Sequence, residues 1–315
     1  SNKGNSFSIG LNVGIRSAQS LSEPLTQMAL SSKHGVSLVE GDHNKPKGLA
    51  AFKQFVEIPK NFFQRAPISQ ISGKIMSIAK APQGGFDVDV SGTAHYVPPG
   101  RSLKIKQGQN VEAGDVLGSG IVAPDDVVKH KGLGAGREYL VKSLRDVYTE
   151  SGKNLDPRHF ELLAKSQLNY VKVNGDVPGF VPGDVVSVSS IRKAFEGKGS
   201  EIATKEGVGK VLTAHHGAHL PGTRLTTRVV EDLQRQGINR VNATSSNMQI
   251  EPIMAAATRT PLLNPNWMQR LGYRYQKATI INAATFGEKA DLHSHNPIPA
   301  LAVGHELRRD SKGRY

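Results

Sequence analysis

The sequence predicts an irregular α+β protein assembled from several small modules, and three observations lead there. Glycine (33 residues) and proline (17) recur along all 315 positions, so the chain turns often and its elements are short. Apolar residues at helical spacing occur in separate stretches, with Leu140, Val141, Leu144, Val147 and Tyr148 as one stripe and Phe160, Leu163 and Leu168 as another. Residues 70–122 instead read as short strands divided by turns, in the runs ISGKIMSIAKA, GGFDVDVSG, TAHYVPPG and SLKIKQGQNVEAGDVLGSG. The apolar share is 37% with a mean hydropathy of −0.36, below the level of a self-contained globular protein, so the fold is expected to complete its cores against partner chains.

Charge narrows the partners. A formal charge of +13, spread along the chain, favours a polyanion, because each Lys or Arg beside a phosphate releases condensed counterions. With Cys 0, disulfides and thiolate metal sites are excluded. No run approaches the roughly 20 apolar residues of a membrane span, no signal peptide is visible, and the protein is expected to work inside a cell without a membrane partner. The chain opens on Ser1 rather than Met, which points to processing or to a piece of a longer polypeptide.

From the N-terminus, Ile9, Leu11, Val13, Ile15, Ala18 and Leu21 supply small and apolar positions. Glu23-Pro24 then reads as the start of a second helix, since proline in a first turn forfeits no hydrogen bond. That helix carries Thr26, Gln27, Met28, Leu30 and His34 and should stop at Gly35. Gln27, Leu30, Ser31 and His34 lie three and four apart, so they share one face. An amide, an apolar group and an imidazole on one face suit a nucleotide, although a lone histidine at a helix end also interacts with the helix dipole. Residues 36–48 are polar and turn-rich, a helix is expected at about Leu49–Val56, and Pro59 ends it. Phe52, Phe55, Phe62 and Phe63 are expected in the core rather than stacked on bases.

In the strand region, Gly108 to Leu117 carries the G-x-x-V-x-x-G-D-x-L turn of small barrel modules, with glycines placed for positive φ. Asp156-Pro157 is a helix cap followed by a first-position proline. The glycines 132, 134 and 136 miss the G-x-G-x-x-G spacing of a dinucleotide loop and read as turn residues. Residues 210–241 should run strand, turn, helix (Leu225–Gln236) and strand. His215 and His219 stand four apart, and His293 and His295 two apart, but no HExxH or comparable frame joins them, so no metal site is assigned to this chain. Arg308, Arg309, Lys312 and Arg314 form a basic tail.

The stretch AQS-x-x-EP-x-TQ (Ala18 to Gln27), with His34 seven residues on, resembles the trigger-loop segment of the largest (beta-prime) subunit of multisubunit RNA polymerases. The segment GLAAFKQFVEIPKNFFQRAPISQISGKI, the helix–link–helix stretch from Val122 to Val173, Lys277–Gly287 and Asp291–Gly304 resemble later parts of the same subunit in the same order, while 200–265 matches poorly. The resemblance implies a helical hairpin that closes over the incoming nucleoside triphosphate. It implies His34 near the triphosphate as the catalytic group, and Gln27, Met28, Leu30, Ser31 and Lys33 as the nucleotide-binding residues, with Gln27 at the ribose and Leu30 at the base. The family has arginine where Ser31 stands and an aromatic residue where Lys33 stands. Lys129, Lys131, Arg137, Lys142 and Arg145 fall where the family runs near downstream DNA and are candidate phosphate neighbours.

The family's two Mg2+ ions are held by an N-D-F-D-G-D triad, which this chain lacks, so the ions are expected on another chain. Implied partners are an N-terminal beta-prime-like subunit, a beta-like subunit, template DNA, the RNA transcript, nucleoside triphosphates and a promoter-specificity factor. The implied modules are 1–48 (trigger hairpin), 49–122 (helix and barrel-like unit), 123–199 (helix–link–helix and strands), 200–265 (divergent α/β insertion) and 266–315 (a segment returning near the active centre, with the basic tail). Divergence of this kind resembles that of split polymerase subunits of large bacteriophages, which would place the protein in the cytoplasm of a bacterial host or in a virion. The competing expectation is a non-catalytic nucleic-acid-binding protein made of small barrels.

Overall fold

The structure, a computed structural model, describes residues 10–34, 46–217, 219–246, 248–264 and 267–287, and for residues 30–34, 267–269 and 274 the backbone alone. The first element, α1 (Val13–His34), is one continuous helix with Pro24 in its interior. This corrects the expectation of a second helix opening at Glu23-Pro24. A proline inside a helix leaves the carbonyl four residues back without its donor. Here burial of Leu21 and Met28, on either side of the proline, anchors both halves, and the Tyr148 hydroxyl donates to the Leu21 carbonyl at 2.7 Å. Tertiary contacts thus carry the helix through a position where local rules favour a boundary.

Helix α2 (Gly48–Glu57) buries Ala51, Gln54, Phe55 and Val56 and ends where Ile58 turns left-handed (φ 46°) ahead of Pro59. It packs on α1 and on the third helix described below. Phe55 meets Phe62 edge-on and both are buried, Phe52 sits edge-on against Tyr148, and Phe63 is half-buried, so these rings serve packing.

The strands β1 (Gly73–Lys80), β2 (Phe86–Val90), β3 (Thr93–Val97) and β4 (Asn110–Val111) form an antiparallel sheet in the order β3-β2-β1-β4. The sheet curls into a half-barrel. Its separate core is Ile75, Val88, Val90, Val97, Ile105, Val111 and Leu117. In the turns on either side of β4, Gly108 (φ 82°) before it and Gly114 (φ 90°) after it take the left-handed conformation, and Asp115 Oδ2 accepts from the Glu112 N–H at 2.9 Å. A Cβ at Gly114 would lie 2.5 Å from His130 Cβ, so the barrel turn rests directly on the helix that follows.

That helix, α3 (Pro124–Glu150), is broken at Gly132 (φ 83°, ψ 176°) into two segments. Asp125 and Asp126 in its first turn receive the Arg65 guanidinium, which ties the barrel to the helix start and raises the Arg65 pKa, chiefly through the Asp126 hydrogen bond. Asp156 caps α4 (Pro157–Gln167) by accepting the Arg158 N–H at 3.0 Å, as the Asp-Pro pair predicts. Leu140, Leu144, Val147, Tyr148, Phe160, Ala164 and Leu168 interlock these helices in the main core.

Next come β5 (Tyr170–Val173), β6 (Val185–Ser187), α5 (Val188–Phe195), β7 (Ser200–Ala203), β8 (Val211–Leu212), α6 (Thr227–Arg235), β9 (Arg240–Thr244) and β10 (Ile250–Ile253). They give two further antiparallel sheets, β10-β5-β6 and β7-β9-β8, the second with its own core of Leu212, Leu225, Val230, Leu233, Val241 and Ala243. The strand–turn–helix–strand order expected for 210–241 is therefore present. The last described element, α7 (Trp267–Phe286), is helical and leaves Tyr275, Ile280, Ile281 and Phe286 exposed in this chain. Residues 288–315, with His293, His295 and the basic tail, lie outside the described residues.

Candidate functional site

The strongest sequence motif lies along α1, and the fold determines which side of that helix is available. Leu21 and Met28, seven residues apart and hence on one side, are buried against α2 and the main core. Met28, a predicted nucleotide neighbour, therefore sits beneath Gly48, where an added Cβ would meet the Met28 Cβ at 3.5 Å. Gln27, one step round the helix, is exposed. The side chains of Leu30, Ser31, Lys33 and His34 lie outside the described residues.

Long-range polar contacts seat α1 among the described residues. Tyr148, whose ring stands edge-on to Phe160 at 5.1 Å and to Phe52 at 6.0 Å, donates its buried hydroxyl to the Leu21 carbonyl. Burial pushes the Tyr148 hydroxyl pKa strongly upward, so the group remains a neutral donor. Ser17 Oγ and His159 Nδ1 are 2.9 Å apart and join the start of α1 to the first turn of α4. Lys153 Nζ donates to Gln27 Oε1 at 2.7 Å. A cleft of about 650 Å³ opens between α1 and α4, lined by Arg16, Ser17, Ser20, Asp156, Arg158 and His159 among others.

The five predicted phosphate neighbours divide between two surfaces. Lys129 and Lys131 line a cleft of about 640 Å³ facing α6, together with Arg224 and Arg228, and Lys129 lies 3.9 Å from Glu251. Arg137, Lys142 and Arg145 line a groove of about 820 Å³ between α3 and α4, shared with Glu138, Asp146 and Glu161. Arg137 is committed to structure: its Nε and Nη2 donate to the Leu168 carbonyl at 3.1 and 2.6 Å, capping α4, and burial lowers its pKa. Lys142 and Arg145 are exposed.

The histidines of the divergent unit serve its fold. His219 Nε2 meets Asp232 Oδ2 at 2.8 Å, and His216 Nε2 accepts the Asn242 N–H at 3.1 Å. Burial, and secondarily His215, lowers the His216 pKa. Among the described residues no three His, Asp or Glu side chains converge as metal ligands.

Sequence reasoning missed Tyr148, Lys153, Ser17 and His159. Tyr148 was read only as part of an apolar stripe, and its hydroxyl partner is 127 residues away in sequence, beyond any local pattern. His159, in the first turn after a capped proline, carries no motif of its own.

No family model matches the sequence. Among curated proteins, the chain is 31% identical over 226 residues to the DNA-directed RNA polymerase subunit beta' of Clostridioides difficile, covering 65% of this chain and 18% of that protein. It is 32% identical over 218 residues to the same subunit of Moorella thermoacetica (67% and 18%) and 28% identical over 279 residues to that of Acetivibrio thermocellus (81% and 23%). The chain spans about a fifth of the length of these relatives. Over most of its length, then, the chain is a homologue of the beta' subunit of DNA-directed RNA polymerase.

Proposed function

We propose that this chain is the trigger-loop-bearing, C-terminal beta'-like part of a multisubunit DNA-dependent RNA polymerase, and that α1 supplies the element that closes on the incoming nucleoside triphosphate. The observation that carries the reading is α1 itself. The motif Ala18 to Gln27 and His34 stand on one helix, docked through Leu21 and Met28, with Gln27 on its open side. A helix anchored along one side and presenting an amide on another can align a nucleotide without losing its own footing.

The work assigned to this chain is positioning. Closure of the helix end around His34 orients the triphosphate and excludes water, effects that make a large share of a barrier available to geometry alone. His34 acts near the triphosphate as a proton donor or as a positional cation. Mg2+ belongs to the chemistry of the complex and is assigned to aspartates of another chain. The partners are the N-terminal beta'-like and beta-like chains, DNA, RNA and nucleoside triphosphates, and Lys129, Lys131, Lys142 and Arg145 are the exposed candidates for phosphate contact.

The test is nucleotide addition by the assembled polymerase. His34→Ala should slow single-nucleotide addition roughly 10-fold or more, the scale of a positioned acid–base group. An unchanged rate would refute the assignment.

A further inference from the structure

We propose that Lys153 is a positioning residue for Gln27: it fixes which edge of the Gln27 amide the helix presents to the sugar of a bound ribonucleotide. The proposal rests on the nucleotide reading of α1. Its starting point is the 2.7 Å contact from Lys153 Nζ to Gln27 Oε1. A lysine ammonium has three donors and no acceptor, so only the amide oxygen can face it. The Gln27 carbonyl is therefore turned toward Lys153 and its NH2 away from it. An unrestrained glutamine offers a sugar either edge; a glutamine held by Lys153 offers donors, which suit the oxygen of a ribose hydroxyl.

Lys153 is well placed to impose this. Its backbone N–H donates to the Tyr148 carbonyl at 2.9 Å, in a turn where Gly152 adopts φ 72° and donates to the Thr149 carbonyl at 2.9 Å. The same Tyr148 holds the Leu21 carbonyl through its hydroxyl. The C-terminal end of α3 thus grips α1 at two points six residues apart, which is about 9 Å along a helix. Tyr148 fixes the helix backbone, and Lys153 reads from that fixed frame to the Gln27 side chain. Lys153 is half-buried, so it samples fewer positions than a free surface lysine.

The experiment uses the assembled polymerase and single-nucleotide addition with ATP and with 2′-deoxy-ATP. Lys153→Met should reduce the preference for ATP roughly fivefold, the factor equivalent to a net hydrogen bond of about 1 kcal/mol. It should raise the KM for ATP more than it lowers kcat, and Lys153→Arg should restore much of the preference. In the Gln27→Ala background, Lys153→Met should have no further effect. If Gln27→Ala erodes the preference while Lys153→Met does not, the positioning role is overturned and the nucleotide reading stands. If Gln27→Ala itself leaves ATP and 2′-deoxy-ATP addition unchanged, the nucleotide reading of α1 falls and this inference with it. Faster amide exchange throughout residues 13–28 in Lys153→Met would also overturn the proposal, because the contact would then be a structural tie.

Discussion

Replacing Tyr148 with Phe isolates the contact that carries α1 through Pro24. The substitution keeps the ring, and with it the edge-on packing against Phe52 and Phe160, and removes only the hydroxyl that donates to the Leu21 carbonyl at 2.7 Å. Helix α1 has already forfeited one backbone bond to the proline, three residues from that carbonyl. A net hydrogen bond of this kind contributes about 0.5–1.5 kcal/mol, and the contact is buried, which places the loss near the top of that range. At about 1.4 kcal/mol per factor of ten, local opening of α1 should become roughly 10-fold more frequent. Hydrogen exchange read by mass spectrometry, on the chain in its native complex, measures this directly in peptides covering residues 13–28. Peptides from β2 and β3, which share no core with Tyr148, serve as the internal reference. Unchanged exchange over 13–28 would refute the reasoning. So would an equal acceleration in the β2–β3 peptides, since that would mean general destabilisation rather than loss of one tie.

Two further predictions follow from burial. Met28→Ala should cost about 2–5 kcal/mol, the range for truncating a buried side chain, and should speed exchange in α2 as well as α1 because Met28 supports Gly48; normal exchange in both helices would return Met28 to an exposed, ligand-facing role. On the acid side, His130 and His216 have pKa values lowered mainly by burial, with Lys129 and His215 respectively adding to the effect. The unfolded chain takes up protons at these sites below about pH 6.5 while the folded chain resists, so their stabilisation is complete above that pH and is lost as pH falls. Exchange over 127–133 and 211–216, corrected for intrinsic rate, should rise between pH 7.5 and 5.5 relative to residues 140–150, and parallel behaviour of all three segments would contradict the assignment.

Local chemistry made much of this protein legible. Asp156-Pro157 specified the start of α4 because cap and proline act within one turn. The Gly108 and Gly114 turn was readable because only glycine takes those φ values without strain. The spacing of Ala18 to Gln27 and His34 placed the candidate nucleotide residues on one element. Arg137 shows what such reading leaves out: its charge suggested a phosphate, and its guanidinium also donates to the Leu168 carbonyl, 31 residues away, as a cap.

Pro24 marks the dividing line most plainly. By itself the sequence determined that a helix runs from Pro24 to His34, that a barrel turn precedes a helical pair, and that an amide and an imidazole are spaced to share a helix face, because each depends on neighbours a few residues away. Only the tertiary structure decided that α1 runs unbroken through the proline, that Met28 faces inward while Gln27 faces out, and that Tyr148 and Lys153 hold the helix from 126–127 residues away. Those outcomes depend on long-range burial and hydrogen bonding, which outweigh the local preference of a single residue whenever the packed surface on both sides of it is worth more than the bond it forfeits.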